Sequence, residues 1–374
     1  MSTRRQFIQQ VSAVAGLGAA LSVGLGLTPT RVQAASGGAG WMPDEGDRHR
    51  RAFVAFGAQP AIWADFTADV QAAIGLIART IARYEPVTVL CRERERQLAE
   101  QLCGTRNTRF IHTELDDIWM RDIGANFVID EEGTLGAVDF NFNGWGDKQQ
   151  HQHDARVAAR VAADANARHI RSELLGEGGG IEVDGHGTGI MTESSWVNAN
   201  RNPDWSKAEV EEELKERLGL RKIIWLPGIK GRDITDAHVD FYARFVRPGV
   251  VIANLDTDPE SYDARVTRRH LEILQNATDA DGRALQVHTL SPPLNPRKSK
   301  FNRGNPDFAA GYINYFVING AVIAPEFGDP SADARALALL STLYPDREVV
   351  QLNIDAIAAG GGGIHCVTSH QPWG

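Results

Sequence analysis

Cysteine is scarce in this chain: Cys91, Cys103 and Cys366 are the only three in 374 residues. Three thiols do not make the disulfide framework that staples small secreted domains, so stability has to come from a buried apolar core. Cys91 and Cys103 are able to pair in an oxidising compartment, leaving Cys366 as an odd, free thiol. Basic charge is also in deficit, with 39 Lys and Arg against 48 Asp and Glu and a formal net charge of −9. That balance argues against nucleic acid as a partner and favours the approach of cations. Beyond the first 35 residues no segment offers the ~18 to 20 uninterrupted apolar residues of a membrane span. Metal-ligand spacing is rare too; His151-Gln-His153 has it, but without a supporting cysteine or acidic pattern it reads as a solvated loop.

The N-terminus is of a different character. Ser2-Thr-Arg4-Arg5-Gln-Phe7-Ile8, an Ala/Gly/Leu-rich run from Val11 to Leu27, and the small-residue end Val32-Gln-Ala34-Ala35 read as a cleaved twin-arginine export signal over residues 1–35. Its removal takes away Arg4, Arg5 and Arg31, moves the net charge to −12, and leaves residues 36–374 as one domain, expected in the periplasm or outside the cell. The alternative reading of the apolar run is a membrane anchor, and on either reading the membrane enters only through this segment.

In the remainder, helical periodicity is clearest over 65–84, 93–102, 155–166, 205–218 and 263–277. Short apolar strands follow several of these, among them Pro86–Leu90 and Lys222–Leu226. Such alternation indicates α/β units. A long, Pro-rich, basic segment, 292–306, reads either as a flap over a site or as a tethered surface loop.

Five segments carry polar residues into short apolar strands. They are Trp119-Met-Arg-Asp122, Glu177-Gly-Gly-Gly-Ile with Glu182 following, His238-Val-Asp240, Tyr312-Ile-Asn314, and Gly360 to Gly363 followed by Ile364-His365-Cys366. Read as a strand, His238-Val-Asp240 puts an imidazole and a carboxylate on one face. The glycines before Cys366 allow close approach of backbone and unusual φ/ψ. The five strand starts, near 122, 180, 238, 313 and 364, are spaced by 58, 58, 75 and 51 residues. That near-period suggests repeated units whose polar lead-ins converge.

In order and spacing these segments, with Trp41-Met-Pro43-x-Glu45 and Trp225-Leu-Pro, resemble the agmatine deiminase and bacterial-type peptidylarginine deiminase family over residues 41 to 374. The resemblance implies a five-bladed α/β-propeller (pentein) of ββαβ repeats with pseudo-fivefold symmetry. It implies hydrolysis of a guanidinium group to a urea and ammonia through a covalent thiouronium, without metal or cofactor. By that resemblance Cys366 is the nucleophile, His238 the general acid/base, and Asp122 and Asp240 the guanidinium-binding carboxylates. Glu177, at the family's Glu-Gly-Gly position, orients His238, with Glu182 as its competitor. Trp119 is expected to cap the guanidinium plane and Asn314 to hydrogen-bond at the end of its strand or to the substrate.

The chemistry suits these residue types. A guanidinium is planar, charged and rich in donors, so two carboxylates can bind it bidentately and present its carbon to sulfur. The attacking species is a thiolate; neighbouring carboxylates raise the thiol pKa, whereas an imidazolium or the substrate's own charge lowers it.

Two substrate readings stand: a small guanidine such as agmatine, or the arginine side chain of a peptide. A non-catalytic guanidinium-binding protein is a third reading, from another class, and the intact thiol speaks against it. The family's agmatine deiminases commonly have an acid four positions before the histidine and a Thr-Asn-Gly-His run; this chain has Ile234 and Thr-Asp-Ala-His238. Asp233, Asp236 or another acid is expected to compensate if an amine tail is bound. Oligomeric state is not legible.

Overall fold

The structure is a computed structural model that describes residues 40–374; the export-signal reading over residues 1–35 lies outside them. Among the described residues the fold is mixed α/β, built from five small sheets. The first contains β1 (His49–Phe56), β2 (Val87–Cys91) and β3 (Thr108–His112), and the second β4 (Asn126–Ile129), β5 (Leu135–Asp139) and β6 (Arg168–Arg171). The third holds β7 (Glu182–Val183), β8 (Thr188–Thr192) and β9 (Lys222–Leu226), and the fourth β10 (Ala243–Arg247), β11 (Val250–Asn254) and β12 (Gln286–Leu290). The fifth holds β13 (Phe316–Ile318), β14 (Ala321–Glu326) and β15 (Glu348–Asn353), while β16 (Thr368–Pro372) returns to pair antiparallel with β1.

Each sheet repeats one pattern: an antiparallel pair, a helix, then a parallel strand. A parallel neighbour needs a crossover, and α1 (Thr67–Ile81), α3 (Val157–Ala165), α4 (Lys207–Leu218), α5 (Ala264–Gln275) and α6 (Pro330–Leu343) supply one per sheet; α2 (Arg96–Cys103) adds a second crossover in the first. The chain's last strand thus completes its first unit.

Local chemistry explains the helices. On α1, Val70, Ile74, Ile77 and Ile81 form one fully buried stripe. Pro60–Ile81 is apolar and long enough by composition to cross a membrane, but Asp65, Asp69 and Arg79 interrupt its apolar run, and its apolar side packs into the core. Ser206 caps α4 in a reciprocal capping box with Glu209, and Gly219 ends it in the left-handed region. Helix α6, with Asp329 as N-cap and Pro330 at its first position, has no counterpart in the sequence reading, although both are start signals.

The five motif segments do lie just before the first strand of each antiparallel pair, but not on strands. Asp122 sits in a single helical turn, Met120–Ile123; Glu177 precedes a 3-10 turn, Gly178–Gly180; His238 and Asp240 belong to the 3-10 turn Val239–Phe241 and its N-cap. The alternating strand expected from His238 onward begins only at Ala243. Asp236 (φ 60°) and Ala237 (φ 70°) reverse the chain just before, and the turn, not strand periodicity, brings His238 and Asp240 together.

Candidate active site

All seven expected residues are buried, between 0 and 5% exposed. Gly179 lies among three of them: a Cβ there would fall 2.5 Å from His238 Nδ1, 2.7 Å from Asp122 Oδ1 and 3.2 Å from Asp240 Oδ2. The absence of a side chain at this position is what allows an imidazole and two carboxylates to converge. Gly179 N also donates to Asp122 Oδ1 at 3.0 Å.

Cys366 Sγ is directed at Asp240 Oδ2 (3.4 Å) and accepts from Asn314 Nδ2 (3.3 Å), while Asn314 Oδ1 accepts from the Cys366 backbone N–H at 3.2 Å. Asn314 therefore grips the cysteine from both sides, a more specific place than a strand-end hydrogen bonder. His238 Nε2 pairs with Glu177 Oε2 at 3.0 Å, and Nδ1 stands 3.6 Å from Asp122 Oδ1. Glu177, not Glu182, faces the histidine; Glu182 instead pairs with Arg244 Nε at 2.7 Å and accepts from Phe245 N.

Trp119 is held by the protein's own groups. Its indole N–H donates to Asp117 Oδ2 at 2.7 Å, its ring lies 5.9 Å from Trp63, and Gly362 packs directly on its face. Gly360 likewise packs on Trp63 and Gly363 on Asn314, so the glycine run mainly lets this backbone sit tightly on the protein's own side chains. Cys91 and Cys103, which the sequence allowed to pair, are both free and buried. His151 Nδ1 contacts the Gln149 carbonyl, and the described residues contain no group of three or more potential metal ligands.

The sequence reading missed three further contributors. Trp145, itself at φ 59°, donates its indole N–H to Asp122 Oδ2 at 3.0 Å. Arg201 holds Glu177 through Nε at 2.8 Å and Asp236 through Nη1 at 2.8 Å. His365 bridges Asp240 Oδ2 (2.8 Å) and Glu45 Oε2 (3.0 Å). His365 and Glu45 were visible in the motifs, whereas nothing local marks Arg201 or Trp145 as partners of residues more than 20 positions away.

The charges are poised by burial and by one another. Burial, reinforced by Asp240 and Glu177 against the pull of His238, pushes Asp122 up to about 6. Burial opposes a proton charge on His238, but Asp122, Glu177 and Asp240 outweigh it and raise the imidazole to about 9. Burial works against ionisation of Asp240 too, yet His365, His238 and Arg244 hold it below the usual carboxylate range. Burial and the two aspartates push the Cys366 thiol well above its ordinary value. Two buried polar atoms, Asp240 Oδ1 and His238 Nδ1, have no hydrogen-bond partner. An unpaired carboxylate oxygen such as Asp240 Oδ1 is an acceptor that a donor-rich planar cation would engage.

A cleft of about 430 Å³ leads outward from His238. Ile234, Phe241 and Phe308 line it together with Asp233, Asp256 and Asp263. Residues Pro292 and Pro306 to Gly311 contribute a wall, so the Pro-rich loop does border the site, but it is also tethered: Arg297 pairs with Glu326 and Asp355, Lys300 with Asp69, and Asn305 with the Ala359 carbonyl. Asp236 is committed to Lys148 and Arg201, and Asp233 to Thr235 and Ala237.

Residues 41–372 match the family described as Porphyromonas-type peptidyl-arginine deiminase. The agmatine deiminase of Stutzerimonas stutzeri is 38% identical, over 89% of this chain and 95% of its own length. That of Pseudomonas aeruginosa is 36% identical over 88% and 95%. Among solved structures, the agmatine deiminase of Enterococcus faecalis superposes with a TM-score of 0.84 at 29% identity, covering 90% of this chain and 96% of that one. The chain belongs to the Porphyromonas-type peptidyl-arginine deiminase family and, with it, to the hydrolases that act on carbon–nitrogen bonds of linear amidines.

Proposed function

We propose that this protein hydrolyses the guanidinium group of agmatine to N-carbamoylputrescine and ammonia on a single five-bladed α/β-propeller, with Cys366 as nucleophile. The observation that carries the reading is the convergence of Cys366 Sγ, Asn314 Nδ2 and Asp240 Oδ2 within 3.4 Å beside the Glu177-bound His238 and Asp122. The cation binds between Asp122 and Asp240 and its charge replaces the repulsion those carboxylates exert on a thiolate, which lowers the thiol pKa at the moment of binding. Sulfur adds to the guanidinium carbon; His238, protonated at neutral pH, gives its proton to the departing amine, leaving a thiouronium on Cys366. The now neutral His238 then takes a proton from the water that displaces sulfur. Guanidinium plus water thus becomes a urea plus ammonium. Asp122, Asp240 and Asn314 bind or position the reacting groups, and Glu177 orients His238.

Relatives named agmatine deiminase support this substrate. The cleft supports the arginine side chain of a peptide as second reading: about 430 Å³, with Ile234, Phe241 and Phe308 along it, is roomier and more apolar than a short diamine tail requires. The N-terminal sequence favours export by the twin-arginine route, which would place the enzyme where such peptides occur. Ammonia release by wild type and Cys366→Ala with agmatine, arginine and an arginine-containing peptide tests both readings. Cys366-dependent turnover of agmatine alone supports the first, preference for the peptide the second, and turnover that survives Cys366→Ala overturns the mechanism.

A further inference from the structure

Behind the reacting groups lies a second buried layer centred on Glu45. Its Oε2 contacts His365 Nε2 at 3.0 Å and Arg121 Nη2 at 2.6 Å; its Oε1 contacts Arg244 Nη2 at 2.7 Å and the Val317 N–H at 2.9 Å. Each partner belongs to a different site-bearing segment. Arg121 precedes Asp122, His365 precedes Cys366, Arg244 follows Asp240 by four residues, and Val317 follows Asn314 by three. Arg244 carries the network on to Glu182, in the segment of Glu177. One carboxylate from the start of the described chain therefore ties together the lead-ins that supply the site.

The link that reaches the chemistry is His365. Both its ring nitrogens face carboxylate oxygens, Asp240 Oδ2 at 2.8 Å and Glu45 Oε2 at 3.0 Å. Ionised carboxylates only accept, so both contacts are hydrogen bonds when the ring is an imidazolium with two N–H donors. We propose that Glu45 and His365 are positioning residues for the guanidine reaction: Glu45 holds His365 as a cation, and His365 holds Asp240 ionised with Oδ2 engaged and Oδ1 directed to the substrate. Without that cation, Asp122 and Asp240, two buried carboxylates around one point, would tend to share a proton, and the site would meet a guanidinium with one charge instead of two.

The groups facing Asp240 are His365, Cys366, His238, Asp122 and, at longer range, Arg244. Those facing His365 are Asp240 and Glu45, with Arg121 and the stacked His49 and His370 rings beside them. His238 thus pulls Asp240 in the same direction as His365 does, and the effect of losing His365 is a shift rather than a complete loss of charge.

The inference rests on the reading of the site as a guanidine hydrolase, and the test separates the two. His365→Asn retains a neutral donor near Asp240 and removes the charge; Glu45→Gln removes the anion that holds it. With agmatine or the arginine peptide, whichever wild type turns over, His365→Asn is expected to raise KM at least tenfold, to lower kcat by less than that, and to move the acid limb of kcat/KM upward by about one pH unit; Glu45→Gln does the same to a smaller extent. A substrate-free measurement runs in parallel, the pH dependence of Cys366 alkylation by iodoacetamide, read by mass spectrometry. Loss of a cation near a thiol requires the His365→Asn profile to move to higher pH. Unmoved acid limb and unmoved alkylation profile in both variants overturn the proposal, as does a fall confined to kcat and thermal stability. Absence of turnover in wild type would overturn the hydrolase reading, and the alkylation profile would still decide whether the relay exists.

Discussion

Glu177 Oε2 stands 3.0 Å from His238 Nε2 while Arg201 Nε grips the same carboxylate at 2.8 Å, so the histidine is held by an anion that is itself held. Arg201 and His238 together overcome the burial of Glu177 and keep it below the usual carboxylate range. Glu177→Gln keeps the shape and removes the charge. The imidazole then loses part of the field that raises it, so the alkaline limb of the rate moves to lower pH and kcat falls on the order of 10²-fold, within what proton transfer by a positioned group contributes. A kcat and alkaline limb equal to wild type would remove Glu177 from the mechanism.

On the proposed mechanism, the pH dependence of the free enzyme follows from two groups. Asp122 must be ionised to bind a cation and is raised to about 6, so kcat/KM drops as pH falls through that value. His238 must be protonated to release the amine and is raised to about 9, so kcat/KM drops as pH rises through that value. A bell with limbs near these positions is expected in steady-state assays across pH 5 to 10. A single limb near the ordinary imidazole value of about 6.5 would contradict the arrangement.

Gly179→Ala places a methyl group within contact distance of three site residues at once, the nearest atom 2.5 Å away. Because those residues are fixed by Trp145, Glu177 and His365, they have little room to move. Activity should fall by more than a hundredfold, with the melting temperature lowered by only a few degrees. Wild-type kcat in this variant would mean that the three groups do not converge in solution as they do here.

The thiols should report their environments. Burial pushes Cys91 up to about 11 and Cys103 up to about 12, and Cys366 is raised as well. In the folded protein without substrate, reaction with iodoacetamide at pH 7 should be slow at all three. Millimolar guanidinium ion should accelerate alkylation at Cys366 alone, since only that thiol lies beside the carboxylates the cation would neutralise. Equal acceleration at Cys91 would point to loosening of the fold instead.

Ser206→Ala tests the fold away from the site. Loss of the α4 capping box should lower stability by about 1 kcal/mol in urea titration and leave KM unchanged.

The expected site residues were legible because glycine-rich and polar lead-ins to apolar strands stand out at near-regular intervals, and the ordered motifs carry Cys366, His238, Asp122, Asp240 and Glu177 with them. Local signals also mark Ser206, Gly219 and Pro330 at helix ends. Strand periodicity misplaced His238 and Asp240, since it does not register the two successive positive-φ residues before them, and Ala237, unlike Asp236, is not a residue that favours that region. The choice between Glu177 and Glu182 rested on family position, for the two are five residues apart and chemically alike.

What the amino-acid order determined by itself is therefore the inventory: which residue types sit before which strands, the acidic charge balance, and the alternation that makes α/β units. Tertiary structure decided the pairings. Whether Glu177 or Glu182 reaches His238, whether Trp119 stacks on Gly362, and whether His365 spans Asp240 and Glu45 across 320 positions of chain all depend on contacts between segments. Such contacts are set by how five sheets pack, and packing is a property of distances that no window along the sequence contains.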